Sequence, residues 1–165
     1  MDSATLASQA RLRGDAWLFK HDWGFDTKPS AGDFDAYMRS LLVCAKGDGA
    51  VSAEERNWVL GYCAALGGDP ELIQRLETYP ADDELTELVL REPVVDASRR
   101  ALVFDAIRAC DADGELASGE LESIREMAGL LGVADSVDRL HELYRQEEKA
   151  RADRLAVIFP DGAPL

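Results

Sequence analysis

Two short acidic stretches carry the residue types best placed to do chemistry: Asp48-Gly49-Ala50-Val51-Ser52-Ala53-Glu54-Glu55 and Asp113-Gly114-Glu115-Leu116-Ala117-Ser118-Gly119-Glu120. Each reads Asp-Gly, any residue, an aliphatic residue, and a Glu seven positions after the Asp. Carboxylate oxygens are hard donors that suit Ca2+ or Mg2+. The glycine permits a sharp turn through positive φ, so that two carboxylates converge across it, while the aliphatic residue plugs the interior of the hairpin. The chemistry this pattern offers is divalent-cation binding.

A twelve-residue calcium loop supplies a template for testing the pattern. With Gly114 as its sixth residue, Ala109 falls at position one, Asp111 at three, Asp113 at five, Leu116 at eight and Glu120 at twelve. The second stretch therefore meets the template except at its first ligand. The same alignment gives Cys44, Lys46, Asp48, Gly49, Val51 and Glu55 in the first stretch. A lysine where an oxygen ligand belongs argues against tight calcium binding there. Asp111, Asp113 and Glu120 are the stronger metal candidates, with Asp48 and Glu55 as the first-copy counterparts, and a site of this kind needs waters or a further carboxylate to complete it. The competing structural reading is a capping box, with Ser52 and Glu55 satisfying the free N–H groups at a helix start. Ala117 holds the equivalent cap position and has no hydroxyl, so capping explains the second copy less well.

Trp17, Phe19, Trp23 and Phe25 crowd four aromatics into nine residues around His21. One reading makes Trp17, His21 and Trp23 a ligand or partner contact, as a lid over a groove. The other makes the aromatics anchors that hold an N-terminal arm to the remainder, which is the commoner use of such side chains. His21 and His141 are the two histidines, and neither belongs to a spaced zinc motif. No Gly-x-Ser-x-Gly, P-loop or dinucleotide fingerprint occurs.

The elements that position these residues are helical. Apolar side chains recur at three- and four-residue spacing, and sustained alternation is absent. The spacing predicts a first helix from Ser3 or Ala4 to about Lys20, weakened at Gly14. A second follows an Asp33 cap with Phe34, Tyr37, Met38, Leu41, Leu42 and Ala45 on one face. A third follows Ser52 and buries Val59, Tyr62, Cys63 and Leu66. A short fourth is opened by Asp69-Pro70. Further helices are expected over 82–91, 97–110, 119–131 and 135–153. The tail, 154–165, is expected to be extended and to dock its Val157-Ile158-Phe159 run. Sliding the chain against itself by sixty-five positions superposes Asp48-Gly49 on Asp113-Gly114, Val59 on Ile124, Leu66 on Leu131 and Gly67 on Gly132. The expected fold is all-α, a pseudo-two-fold bundle of about seven or eight helices built from two helix-turn-helix repeats, about 34–76 and 99–143. An aromatic arm, 1–32, precedes the domain spanning 33–153.

The 165 residues are 47% hydrophobic and carry 32 acidic against 18 basic side chains, a net charge of −14. That balance repels nucleic-acid phosphates and anionic lipid, so neither partner is expected. Residues 1–30 are neutral, with Arg11, Arg13, Lys20 and Lys28 against Asp2, Asp15, Asp22 and Asp26, and the whole excess lies beyond them. Such an acidic body suits a cation or a basic partner. Cys44, Cys63 and Cys110 stand in apolar surroundings and read as reduced core thiols. No apolar run reaches the roughly 20 residues that span a bilayer, so no membrane insertion is expected. Met1-Asp2-Ser3 opens without a basic leader, and the expected location is cytoplasmic.

The doubled Asp-Gly-x-aliphatic-x-x-x-Glu pattern, each copy between amphipathic helices, resembles the TerB-like family named after tellurite resistance protein B, over about residues 34–143. The resemblance implies a compact cytoplasmic helical bundle linked to tellurite or metal-stress systems. It also implies that Asp48, Glu55, Asp113 and Glu120 handle metal ions, with Asp111 a local addition. Lys46 departs from the small or acidic residue usual at that place, and the aromatic arm lies outside the family pattern. Three functions are therefore weighed. The first is an acidic module binding a divalent cation, Ca or Mg. The second is an interaction module, with its acidic groove and aromatic arm facing a protein partner or a second copy in a homodimer. The third is a small enzyme or ligand-binding protein with a pocket between the repeats.

Overall fold

The structure is a computed structural model that describes residues 2–47, 49–114 and 116–164. Among the described residues it is all-helical: α1 (Ser3–Trp23), α2 (Ala31–Lys46), α3 (Ala53–Ala65), α4 (Pro70–Glu77), α5 (Leu85–Leu90), α6 (Pro93–Ala97), α7 (Arg99–Cys110), α8 (Ser118–Leu130), a 3-10 turn (Ala134–Ser136) and α9 (Val137–Ile158). The predicted all-α class holds, with one helix more than the upper expectation. The chain breaks at Ser98, which separates α6 from α7.

Local chemistry explains most boundaries. Asp69 caps α4 and Pro70 takes its first position, as the sequence predicts. The cap of α2 lies three residues upstream of the expected Asp33. Ser30 Oγ accepts from Asp33 N at 3.1 Å while Asp33 Oδ2 accepts from Ser30 N at 2.7 Å, so Asp33 is the reciprocal member of a capping box. The expected extended tail starts late. The α9 helix runs on to Ile158, and its Val157 is 82% exposed, so the Val157-Ile158-Phe159 run is not docked. The run of good helix formers from Glu147 to Ala156 holds no Gly or Pro to stop the helix.

The central helices are α2 and α7. Leu41, Leu42 and Cys44 from α2 meet Leu102, Ala106 and Ile107 from α7 in one continuous core that also takes Val59 and Cys63 from α3 and Ile124 and Ala128 from α8. The expected duplication is visible in the backbone. Leu66 and Leu131 end α3 and α8. Gly67 and Gly132 follow with φ of 79° and 71°. Gly68 N donates to Cys63 O and Val133 N to Ala128 O, both at 2.8 Å. Two helices of equal length thus close with the same left-handed stop.

The arm is a helix whose residues are exposed as far as Gly14 and in which burial begins only at Asp15. Gly14 does not interrupt it. Phe19 is buried between Phe25, stacked at 6.0 Å, and Phe34, edge-on at 5.9 Å. Arg11 Nη2 donates to Gly68 O at 2.8 Å, and Lys28 Nζ donates to Gly67 O at 2.6 Å and to Asp15 Oδ2 at 3.2 Å. The left-handed turn that ends α3 is thereby the seat of α1.

Candidate functional site

The α7–α8 turn is built by Asp111 and Gly114. Asp111 ends α7, its backbone carbonyl accepts from Gly114 N at 2.8 Å, and Gly114 turns the chain with φ of 86°. Asp111 Oδ1 then accepts from Leu116 N at 3.1 Å and its Oδ2 from the Tyr144 hydroxyl at 2.6 Å, which ties the turn to α9. Leu116 packs against the core, as the hairpin-plug reading expects. Glu120 Oε2 accepts from Ala117 N at 2.7 Å, and in the first repeat Glu55 Oε2 accepts from Ser52 N at 2.6 Å. Both glutamates therefore close their helix starts in the same way, and Ser52 adds its hydroxyl in the first copy alone.

Glu55 of the first repeat lies near enough to Glu120 of the second to act on it electrostatically. Burial lifts the Glu120 carboxyl above its usual range, and Glu55, Asp113 and Asp111 lift it further by like-charge repulsion. Among the described residues no Lys or Arg forms an ion pair with Glu55, Asp111 or Glu120. Lys46, which stands at a ligand position in the template, is turned away to Asp82 and to Pro80 O. Its ammonium is thus paired elsewhere. Asp48 lies outside the described residues. Among the described residues no three His, Cys, Asp or Glu side chains stand close enough to hold one ion between them. The donors fit a hard cation in kind, and a cation held here would keep much of its water.

Burial holds the Cys110 thiol neutral, and the nearby Glu55 and Glu120 carboxylates add to that effect. All three cysteines are buried and free, as expected, and burial alone pushes Cys44 up to about 12.

The aromatic trio separates. Trp17 is 63% exposed and stacks on His21 at 4.8 Å, while His21 Nδ1 lies 2.7 Å from Asp22 Oδ1. Trp23 turns inward, and its indole N–H donates to the Tyr62 hydroxyl at 3.0 Å. There it joins a buried polar network that sequence reasoning missed. Asp105, fully buried, accepts from the Tyr37 hydroxyl at 2.8 Å and from Arg108 Nη1 at 2.9 Å. The Arg108 guanidinium lies over the rings of Trp58 at 5.0 Å and Tyr62 at 5.1 Å. Desolvation raises Asp105 to about 6 despite Arg108 and its hydrogen bonds, and it holds the Tyr37 hydroxyl protonated. The sequence signal was present: Asp105 sits inside the apolar stripe Leu102, Val103, Ala106, Ile107, where a charge needs a partner. A second missed feature is a cleft of about 430 Å³ between the α7–α8 turn and α9, lined by Asp111, His141, Tyr144 and Arg145 among others.

No protein-family model and no curated protein matches the chain. Among solved structures, the crystal structure of a tellurite resistance protein from Nostoc punctiforme is similar to it over 100% of both chains, with 37% identity and a TM-score of 0.90. Identity at that level across the full length, on the same helical fold, shows common descent and not fold alone. The chain belongs to the TerB-like family of tellurite resistance proteins.

Proposed function

We propose that this protein is a divalent-cation-binding module of the tellurite-resistance type, acting in the cytoplasm, and that the α7–α8 turn is its principal site. What supports the reading is that the Glu120 carboxyl, raised first by burial, is raised further by Glu55, Asp113 and Asp111 nearby, with no ion pair to a Lys or Arg on Glu55, Asp111 or Glu120 among the described residues. A bound cation would relieve the repulsion on Glu120, and Ca2+ or Mg2+ suits carboxylate oxygen donors. The chain's own part is to hold the carboxylates in register. Gly114 shapes the turn, Leu116 plugs it, and the Tyr144 hydroxyl on Asp111 ties the turn to α9.

The test is a thermal melt of chelator-stripped protein in Ca2+, Mg2+ and Mn2+. A ligand that binds only the folded state raises the melting temperature by mass action. An unchanged melt across all three ions at millimolar concentration overturns the reading.

A second reading, contact with a protein partner or a second copy, is supported by the outward side chains of α1, where Leu6, Leu12 and Trp17 are 54%, 61% and 63% exposed. Sedimentation of the whole chain beside a Trp17→Ser, Leu6→Ser variant tests it, and a wild type that stays monomeric and recovers no partner counts against it.

A further inference from the structure

The cleft between the α7–α8 turn and α9 measures about 430 Å³, within the roughly 300–1,000 Å³ of sites that take small molecules. One stripe of α9 supplies a wall: His141, Tyr144, Arg145 and Glu148 follow one another at three- and four-residue spacing and so share a face of the helix. Asp111 and Leu116 of the turn supply the other wall. The polar groups on these walls differ in what they already hold. Both Asp111 oxygens are engaged, one by Leu116 N and the other by the Tyr144 hydroxyl, which spends its only proton there. Both Glu148 oxygens accept from Arg151, with Nη2 at 2.6 Å from Oε2. His141 and Arg145, by contrast, have no hydrogen bond, ion pair or ring partner among the described residues. The donors left unspent in the cleft are therefore an imidazole and a guanidinium one helical turn apart, and the guanidinium is a permanent cation whose planar fork matches a carboxylate.

Two features narrow the anion. The carboxylates of Asp111 and Glu148 border the cleft, so each further negative charge on a guest adds repulsion, and one charge is favoured over two. Leu116 and Tyr144 add apolar surface to the same walls, which favours a guest with an apolar body over a bare inorganic ion. We infer that this cleft is a binding site for a small organic acid with a single carboxylate, which pairs with Arg145 and His141 while its apolar body lies against Leu116 and Tyr144. The inference does not rest on the cation reading. The cations that hold the guest belong to α9, and the test uses metal-free protein, so either reading can fail alone.

The imidazole of His141 is a reporter within the cleft, and that of His21, stacked on Trp17 in the N-terminal arm, is an internal control. The experiment follows both imidazole NMR signals in the whole, chelator-stripped chain at constant pH and ionic strength while benzoate is added. Benzamide serves as the uncharged analogue of the same shape and inorganic phosphate as a more highly charged oxyanion, and a His21→Gln variant assigns the two signals. Benzoate is expected to move the His141 signal saturably and to leave that of His21, with benzamide and phosphate each binding at least tenfold more weakly. Arg145→Gln should weaken benzoate binding by about tenfold or more through loss of a charge-assisted hydrogen bond. Arg145 is exposed and unpaired, so this variant should melt as the wild type does. A His141 signal unmoved at tens of millimolar benzoate overturns the inference. So does a response to benzamide or phosphate equal to that for benzoate, or benzoate binding that Arg145→Gln leaves unchanged.

Discussion

Asp105 makes the stability of this protein depend on pH in a sense opposite to that of most carboxylates. Its pKa rises from 3.8 in the unfolded chain to about 6 in the folded one, chiefly because burial disfavours the charged form. Between those values the folded state binds more protons than the unfolded state, so the contribution of this residue to stability falls as pH rises. It is fully present below pH 3.8 and lost through pH 6. The full span, about two units at 1.36 kcal/mol each, is about 3 kcal/mol, of which about 1 kcal/mol falls between pH 5 and 7.5. Other groups titrate in that window, and Asp105→Asn isolates this one. The assay is urea unfolding of wild type and variant at pH 5, 6, 6.5 and 7.5. Whatever the constant cost of leaving Arg108 without its carboxylate, wild type should lose about 1 kcal/mol relative to the variant from the lowest pH to the highest. Parallel profiles would refute the raised pKa, and a difference of opposite sign would mean that Arg108 outweighs burial.

The backbone and the caps give further expectations. A Cβ at Gly67 would stand 2.0 Å from Asp15 Oδ2 on a residue with φ of 79°, so Gly67→Ala should destabilise by roughly 1–3 kcal/mol and loosen α1, seen as faster amide exchange there. Gly14→Ala meets nothing within 4 Å and should stabilise by up to about 1 kcal/mol in the same urea assay. The two cap residues share one backbone conformation, with φ, ψ of −66°, 163° at Ser52 and −67°, 151° at Ala117. Ser52→Ala should therefore cost about 1 kcal/mol, and Ala117→Ser should gain a similar or smaller amount in chemical unfolding.

The repeat was legible because it is written in residue types with few structural substitutes. Glycine at 67 and 132, glutamate at the third helical position and aliphatic plugs at 51 and 116 recur at one offset, and each has a backbone or packing role that the structure realises. The Asp33 cap was misplaced because Ser30 and Asp33 are the two halves of one box, and either alone reads as a cap. The end of α9 was set too early because the charged run from Glu147 to Arg154 reads as a solvated end. On the helix surface the same charges pair at three- and four-residue spacing, Arg151 with Glu148 at 2.6 Å and Lys149 with Asp153 at 2.5 Å. The metal candidates were readable as residues but not as an arrangement. That Glu55 and Asp111 share the field of Glu120 depends on how two hairpins pack, and no local spacing encodes it. The buried network was overlooked for the same reason, since Tyr37 and Asp105 are 68 positions apart and meet only through the α2–α7 contact.

The most direct test of the central claim is calorimetric titration of chelator-stripped protein with Ca2+, Mg2+ and Mn2+, beside an Asp113→Asn, Glu120→Gln double variant whose fold is checked by circular dichroism. Saturable binding to the wild type, absent in a variant that keeps its helical signal, is the predicted result. No binding to either protein at millimolar cation, or equal binding to both, would contradict the account and leave the doubled turn as helix-capping architecture.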